Sequence, residues 1–224
     1  MIKSIAQIIS FVFHPLLVVT YMLVILMLIN PYLFGVNGIH DEVSKLIILR
    51  AFITTFIIPI AGILILKPLG WVQSLALEQK EERIAPYILT GLFYAWVAVN
   101  TYNDGNTPKV FASFAMGAAI ALFIAFFVNV FSKISVHAVG MGSLLGMIII
   151  SLFLFDNQPM FYYSDILGRF SLRLTDFLLA GLFFAGLVGS SRLLLSQKEP
   201  MDLYGGYLIG FCSQLLALRI VLFA

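Results

Sequence analysis

Seven long apolar stretches leave this chain little choice of architecture. They run from about Ile5 to Ile29, Lys45 to Leu66, Tyr87 to Thr101, Lys109 to Phe131, Val136 to Phe155, Leu174 to Leu195 and Leu203 to Phe223. Most reach the ~20 apolar residues that a helix needs to cross a bilayer. In lipid every backbone polar group must be satisfied internally, so only helices and closed barrels cross. A barrel would need short alternating segments, and the sequence shows no strand pattern, low-complexity tract or internal repeat. The expectation is an all-α, polytopic helical bundle of about seven spans, with six as the alternative. It forms a single transmembrane domain over residues 1–224.

Composition agrees with this reading. The chain is 61% hydrophobic, with a mean hydropathy of +1.04, far more apolar surface than a soluble domain of 224 residues can use. A net charge of +2 gives no reason to expect nucleic acid as a partner. The single Cys212 lies in the last apolar stretch, so no disulfide and no cysteine metal site is expected, and no metal or cofactor is called for. Lys3 before an apolar run resembles a signal peptide. The run is too long for an h-region and no small-residue cleavage site follows, so it reads as a retained span.

The breaks between and within the spans carry the remaining information. His14-Pro15 interrupts the first span and Pro59 falls inside the second; a proline within a helix frees a carbonyl and kinks the axis. Asn103-Asp104-Gly105-Asn106 marks a turn, and Asp156 to Arg173 reads as a polar, aromatic-rich connection at an interface. Asp176 opens the sixth span as a helix N-terminal acid. With seven spans, the connections after the second, fourth and sixth share one membrane face. Those connections contain residues 78–86, 132–140 and 190–202, the most suggestive polar segments in the chain.

The last of the three reads SSRLLLSQKEPMD, from Ser190 to Asp202. The spacing of Ser191-Arg192, Lys198 and Asp202 resembles the third signature of the type 2 phosphatidic acid phosphatase superfamily, which has Ser-Arg, a histidine, then Asp. Lys198 stands where the family has its histidine. Ile134-Ser135-Val136-His137 resembles the second signature, Pro-Ser-Gly-His, through its serine and histidine. Lys80, Arg83 and Pro86 give a spread-out version of the first, a lysine followed by Arg-Pro. The resemblance covers roughly residues 78–210.

This resemblance implies a site for the phosphate head of a phospholipid or polyprenyl phosphate at one membrane interface. Lys80, Arg83, Ser135, Ser191 and Arg192 would bind the phosphate, and His137 would donate a proton to the leaving oxygen. Asp202 would orient a nucleophile at position 198. The implied setting is a bacterial inner membrane. Arginine suits the first task because its planar fork pairs with two phosphate oxygens. Lys198 departs from the pattern: an ammonium has no lone pair, and nearby Glu199 and Asp202 oppose the deprotonation that would give it one. It is better suited to holding phosphate than to attacking it.

Three functions remain open on these residues. One is hydrolysis of a lipid phosphate. The second is noncatalytic lipid binding, by itself or as a subunit alongside a membrane protein partner. The third is a small transporter, suggested by His14 and the proline breaks. Ionisable groups inside a membrane usually face the protein interior or a cavity, so His14 is expected in the same polar pocket as the three segments.

Overall fold

The computed structural model describes residues 2–72, 81–155, 158–164, 168–195 and 199–223. Among these, seven helical stretches are long and apolar enough to span a membrane. The first is α1 (Ile2–Val12) with α2 (Val18–Ile29), and the second is α3 (Glu42–Phe52) with α4 (Ile58–Leu66). The others are α5 (Ile84–Asn103), α6 (Lys109–Phe131), α7 (Val136–Leu154), α8 (Leu174–Leu195) and α9 (Pro200–Phe223). The protein is an integral membrane helical bundle. Its core lies where α2, α6 and α7 meet, around Met22, Leu26, Phe114, Met141 and Ile148, all fully buried.

The two proline interruptions behave differently. At His14-Pro15 the helix stops, and a 3-10 turn over Pro15–Leu17 leads into α2. In the second span the helix continues but widens into a π-helical segment, Ile53–Ile57, just before Pro59. Pro59 has no N–H to offer the carbonyl four residues earlier, that of Thr55. Tyr94 of α5 supplies the donor: its hydroxyl lies 3.3 Å from the Thr55 carbonyl and 3.2 Å from that of Leu16. One buried phenol therefore serves both broken spans. Around the first break, Tyr21 donates to the Val12 carbonyl at 2.5 Å and the His14 N–H to that of Phe11 at 3.2 Å. Such replacement donors are what let a non-helical turn persist at membrane depth. Tyr94→Phe should lower the stability of the ligand-free protein by about 1–3 kcal/mol, since it strands buried carbonyls. Thermal unfolding in detergent measures this.

Helices α7 and α9 run parallel and pack closest of all. Gly142 and Gly146 on α7 face Tyr207 and Phe211, and Gly206 and Gly210 on α9 face Ala138 and Val139. Both pairs have GxxxG spacing, which lets helix backbones approach in lipid.

The region between α7 and α8 differs from the sequence expectation. Met160–Ser164 (β1) and Gly168–Leu172 (β2) pair antiparallel, with Met160 opposite Leu172 and Tyr162 opposite Phe170. Each strand is only five residues long, and its aromatic residues read equally well as interfacial ones. A tertiary contact gives the hairpin its place. The Tyr162 hydroxyl donates at 2.5 Å to the carbonyl of Leu28, one of the last carbonyls of α2, which have no partner within their own helix. Tyr162 also stacks on Phe170 at 5.8 Å.

Candidate functional site

Residues from all three polar connections meet at one end of the bundle. Ser135, the residue before α7, donates its backbone N–H to the Asp202 carbonyl at 3.2 Å, which joins the starts of α7 and α9. At this end a cavity of about 370 Å³ opens between the broken first span and helices α4 to α8. Its polar lining comes from Ser10 and His14 of the first span, Arg83 with Tyr87, Thr90 and Tyr94 of α5, His137 and Ser143 of α7, and Arg192 of α8. Phe11, Leu16, Ile63 and Leu122 are among its apolar walls. No Asp or Glu among the described residues lines it.

Each ionisable group arrives there for a local reason. His14 is the residue at which α1 has ended. It precedes the 3-10 turn in an extended conformation, and its Nδ1 accepts the Leu16 N–H at 3.3 Å. His137 sits in the first turn of α7, and its Nε2–H donates to the Ser10 carbonyl at 3.1 Å. It thus satisfies a carbonyl near the C-terminal end of α1, where no further helical turn can. The two imidazole rings lie 5.7 Å apart, nearly perpendicular. Arg192 is in the last turn of α8, within electrostatic range of His14 and of Arg83, and half-buried. Arg83 is the residue before α5, one turn ahead of Tyr87.

These contacts fix the proton positions. A histidine nitrogen that accepts an N–H carries a lone pair, so neutral His14 holds its proton on Nε2. His137 likewise has its proton on Nε2, committed to a carbonyl. Neutral His14 therefore has Nε2–H left to offer, whereas the Nε2–H of His137 is used by Ser10 and its lone pair lies on Nδ1. The cavity is a set of donors and positive charges in a largely apolar enclosure, where electrostatic attraction to an anion is stronger than in water.

Of the residues singled out in the sequence, Arg83, His137, Arg192 and His14 come together in this cavity. Ser135, Ser191 and Asp202 do not line it. Both serines are buried, and each is next in sequence to a lining residue, Val136 and Arg192. Asp202 accepts the Glu199 N–H through Oδ2 at 3.3 Å, as the third residue of α9 reaching back to the residue before the helix. Asp176 does the same for α8, accepting the Arg173 N–H at 2.8 Å. Both carboxylates satisfy a free N–H at a helix start, as the acidic member of a capping box does. Lys80 and Lys198 lie outside the described residues.

Sequence reasoning did not single out Ser10, Tyr87, Thr90 or Tyr94. A signal for two of them existed. Tyr87 follows Arg83 by four residues and Ser10 precedes His14 by four, so each shares a helix face or its extension with a residue already of interest. Thr90 and Tyr94 depend on how α5 packs against the breaks, which local spacing does not encode. Comparison with family models, with characterised proteins and with solved structures finds no match to this chain.

Proposed function

We propose that this protein holds the phosphate head of a membrane phospholipid or polyprenyl phosphate in the cavity at one interface, without hydrolysing it. One observation carries the reading: two arginines and two histidines line a cavity inside the bundle that has no carboxylate among its described lining residues. Ionisable groups gathered inside a bundle of membrane spans are costly and persist where they serve a ligand or a pathway. Arg83 and Arg192 match the oxygens of a phosphoryl group in charge and geometry, while Phe11, Leu16 and Ile63 suit the start of a lipid chain. The resemblance to the phosphatase superfamily supports the same ligand class and a bacterial inner membrane as its setting. Binding of phosphatidic acid but not of diacylglycerol by the purified protein is the expected result, and equal binding of the two would end the proposal.

Hydrolysis is the second reading, favoured by the 5.7 Å separation of the His14 and His137 rings beside Arg192. It requires an imidazole lone pair, Nδ1 of His137 or that of His14 freed from the Leu16 N–H, to face the phosphorus in line with the leaving oxygen. Phosphate release from phosphatidic acid or a polyprenyl phosphate by the wild type is expected to be undetectable. Release that survives Lys198→Ala and disappears in His14→Ala would instead make His14 the nucleophile.

A further inference from the structure

Among the described residues, two hydroxyls of the cavity lining have no hydrogen-bond partner. They are Oγ of Ser10 and the phenol of Tyr87, in residues 7% and 6% exposed. A buried hydroxyl without a partner costs roughly 1–3 kcal/mol. Two other hydroxyls of the cavity lining are occupied: Tyr94 serves two carbonyls, and Ser143 donates to the Gly210 carbonyl at 3.3 Å. Ser10 does not donate back to its own helix, although serines in helices often do. Both groups belong to residues that line the same cavity.

Their neighbours indicate the ligand. Tyr87 lies one turn after Arg83 on α5, within range of its charge. Ser10 lies one turn before His14, and its carbonyl holds His137. An anion held near Arg83 would also meet the hydroxyls of Tyr87 and Ser10, which have no acceptor among the described residues. We infer that Tyr87 and Ser10 are ligand-binding residues, each donating a hydrogen bond to a phosphoryl oxygen of the bound head group. The inference rests on the phosphate-binding reading of the cavity. A ligand held by both hydroxyls ties α1 to α5, so binding should also slow amide exchange around the break that follows α1.

The test pairs affinity with ligand-free stability. Tyr87→Phe and Ser10→Ala proteins are titrated with dioleoyl phosphatidic acid in phosphatidylcholine nanodiscs, and separately with inorganic phosphate. Each variant should bind the lipid roughly tenfold more weakly than the wild type, the usual consequence of losing one hydrogen bond to an anion. Neither should lower the unfolding temperature of the ligand-free protein, because an orphaned hydroxyl contributes nothing before the ligand arrives. Binding of inorganic phosphate with the same sensitivity to both substitutions would make the head group sufficient; lipid-only binding would add the chain as a requirement. Wild-type binding that both variants retain in full would overturn the assignment and leave the phosphate reading intact. A wild type that binds neither probe would overturn both.

Discussion

Gly210→Leu should leave almost no folded protein in the membrane, while Gly186→Ala is tolerated. A Cβ at Gly210 would collide with the Val139 carbonyl oxygen and lie 2.6 Å from the Ser143 nitrogen and 3.0 Å from the Val139 carbonyl carbon. These are backbone atoms of α7, so no side chain can rotate away. The helices would have to separate along their whole contact, which also holds Gly142 against Tyr207 and Gly206 against Ala138. Overpacking typically costs about 1–3 kcal/mol even where side chains can adjust. Against fixed backbone, Gly210→Ala should reach the top of that range, and Leu should exceed the stability of most domains when the lost α7–α9 packing is included. Gly186 is the control: it lies in α8, exposed, with nothing within 4 Å of the added carbon. Alanine there should be neutral or stabilising by about 0.8 kcal/mol, through helix propensity alone. Folded yield after detergent extraction and thermal unfolding separate the two. Equal behaviour of both alanine variants would mean that α7 and α9 are not packed this closely.

The α7–α9 contact also shows what the sequence could and could not disclose. Spans were legible because hydropathy is a sum over some twenty residues and does not depend on what packs against what. The proline breaks were legible too, since Pro15 and Pro59 each lack an N–H wherever they sit. Their outcomes were not. One became a true break and the other a π-helical widening, and the Tyr94 hydroxyl that lies near the Leu16 and Thr55 carbonyls comes from far away in sequence. The gathering of Arg83, His137 and Arg192 followed from counting spans, because an odd number of crossings separates faces and an even number rejoins them. Asp202 illustrates the limit of spacing. Its distance from Arg192 fits a catalytic pattern, and its position three residues into a helix fits a cap equally well. The hydrogen bond to the Glu199 N–H is the cap's. The β1–β2 hairpin was hidden for a related reason: its position depends on the Leu28 carbonyl, which no local pattern announces.

Arg192→Ala should all but abolish lipid-phosphate binding, with Arg192→Lys recovering only part of it. Arg192 is half-buried at the end of α8, lines the cavity with His14 and Arg83, and is positioned by a helix that packs along α1. Truncating one partner of a buried, hydrogen-bonded charge pair costs about 2–5 kcal/mol, equivalent to roughly thirtyfold to several thousandfold in Kd. Lysine restores the charge but not the planar fork, so it can neutralise the head group without gripping two oxygens. Asp202→Ala provides the contrast. On the capping geometry it should cost about 1 kcal/mol of stability and leave affinity nearly unchanged. Were Asp202 instead to orient a group that touches the phosphate, the same substitution would weaken binding while barely moving the unfolding temperature. Isothermal titration with phosphatidic acid and unfolding of the ligand-free proteins, run on the same three variants, distinguish these outcomes. Full affinity in Arg192→Ala would remove the cavity from consideration as a phosphate site.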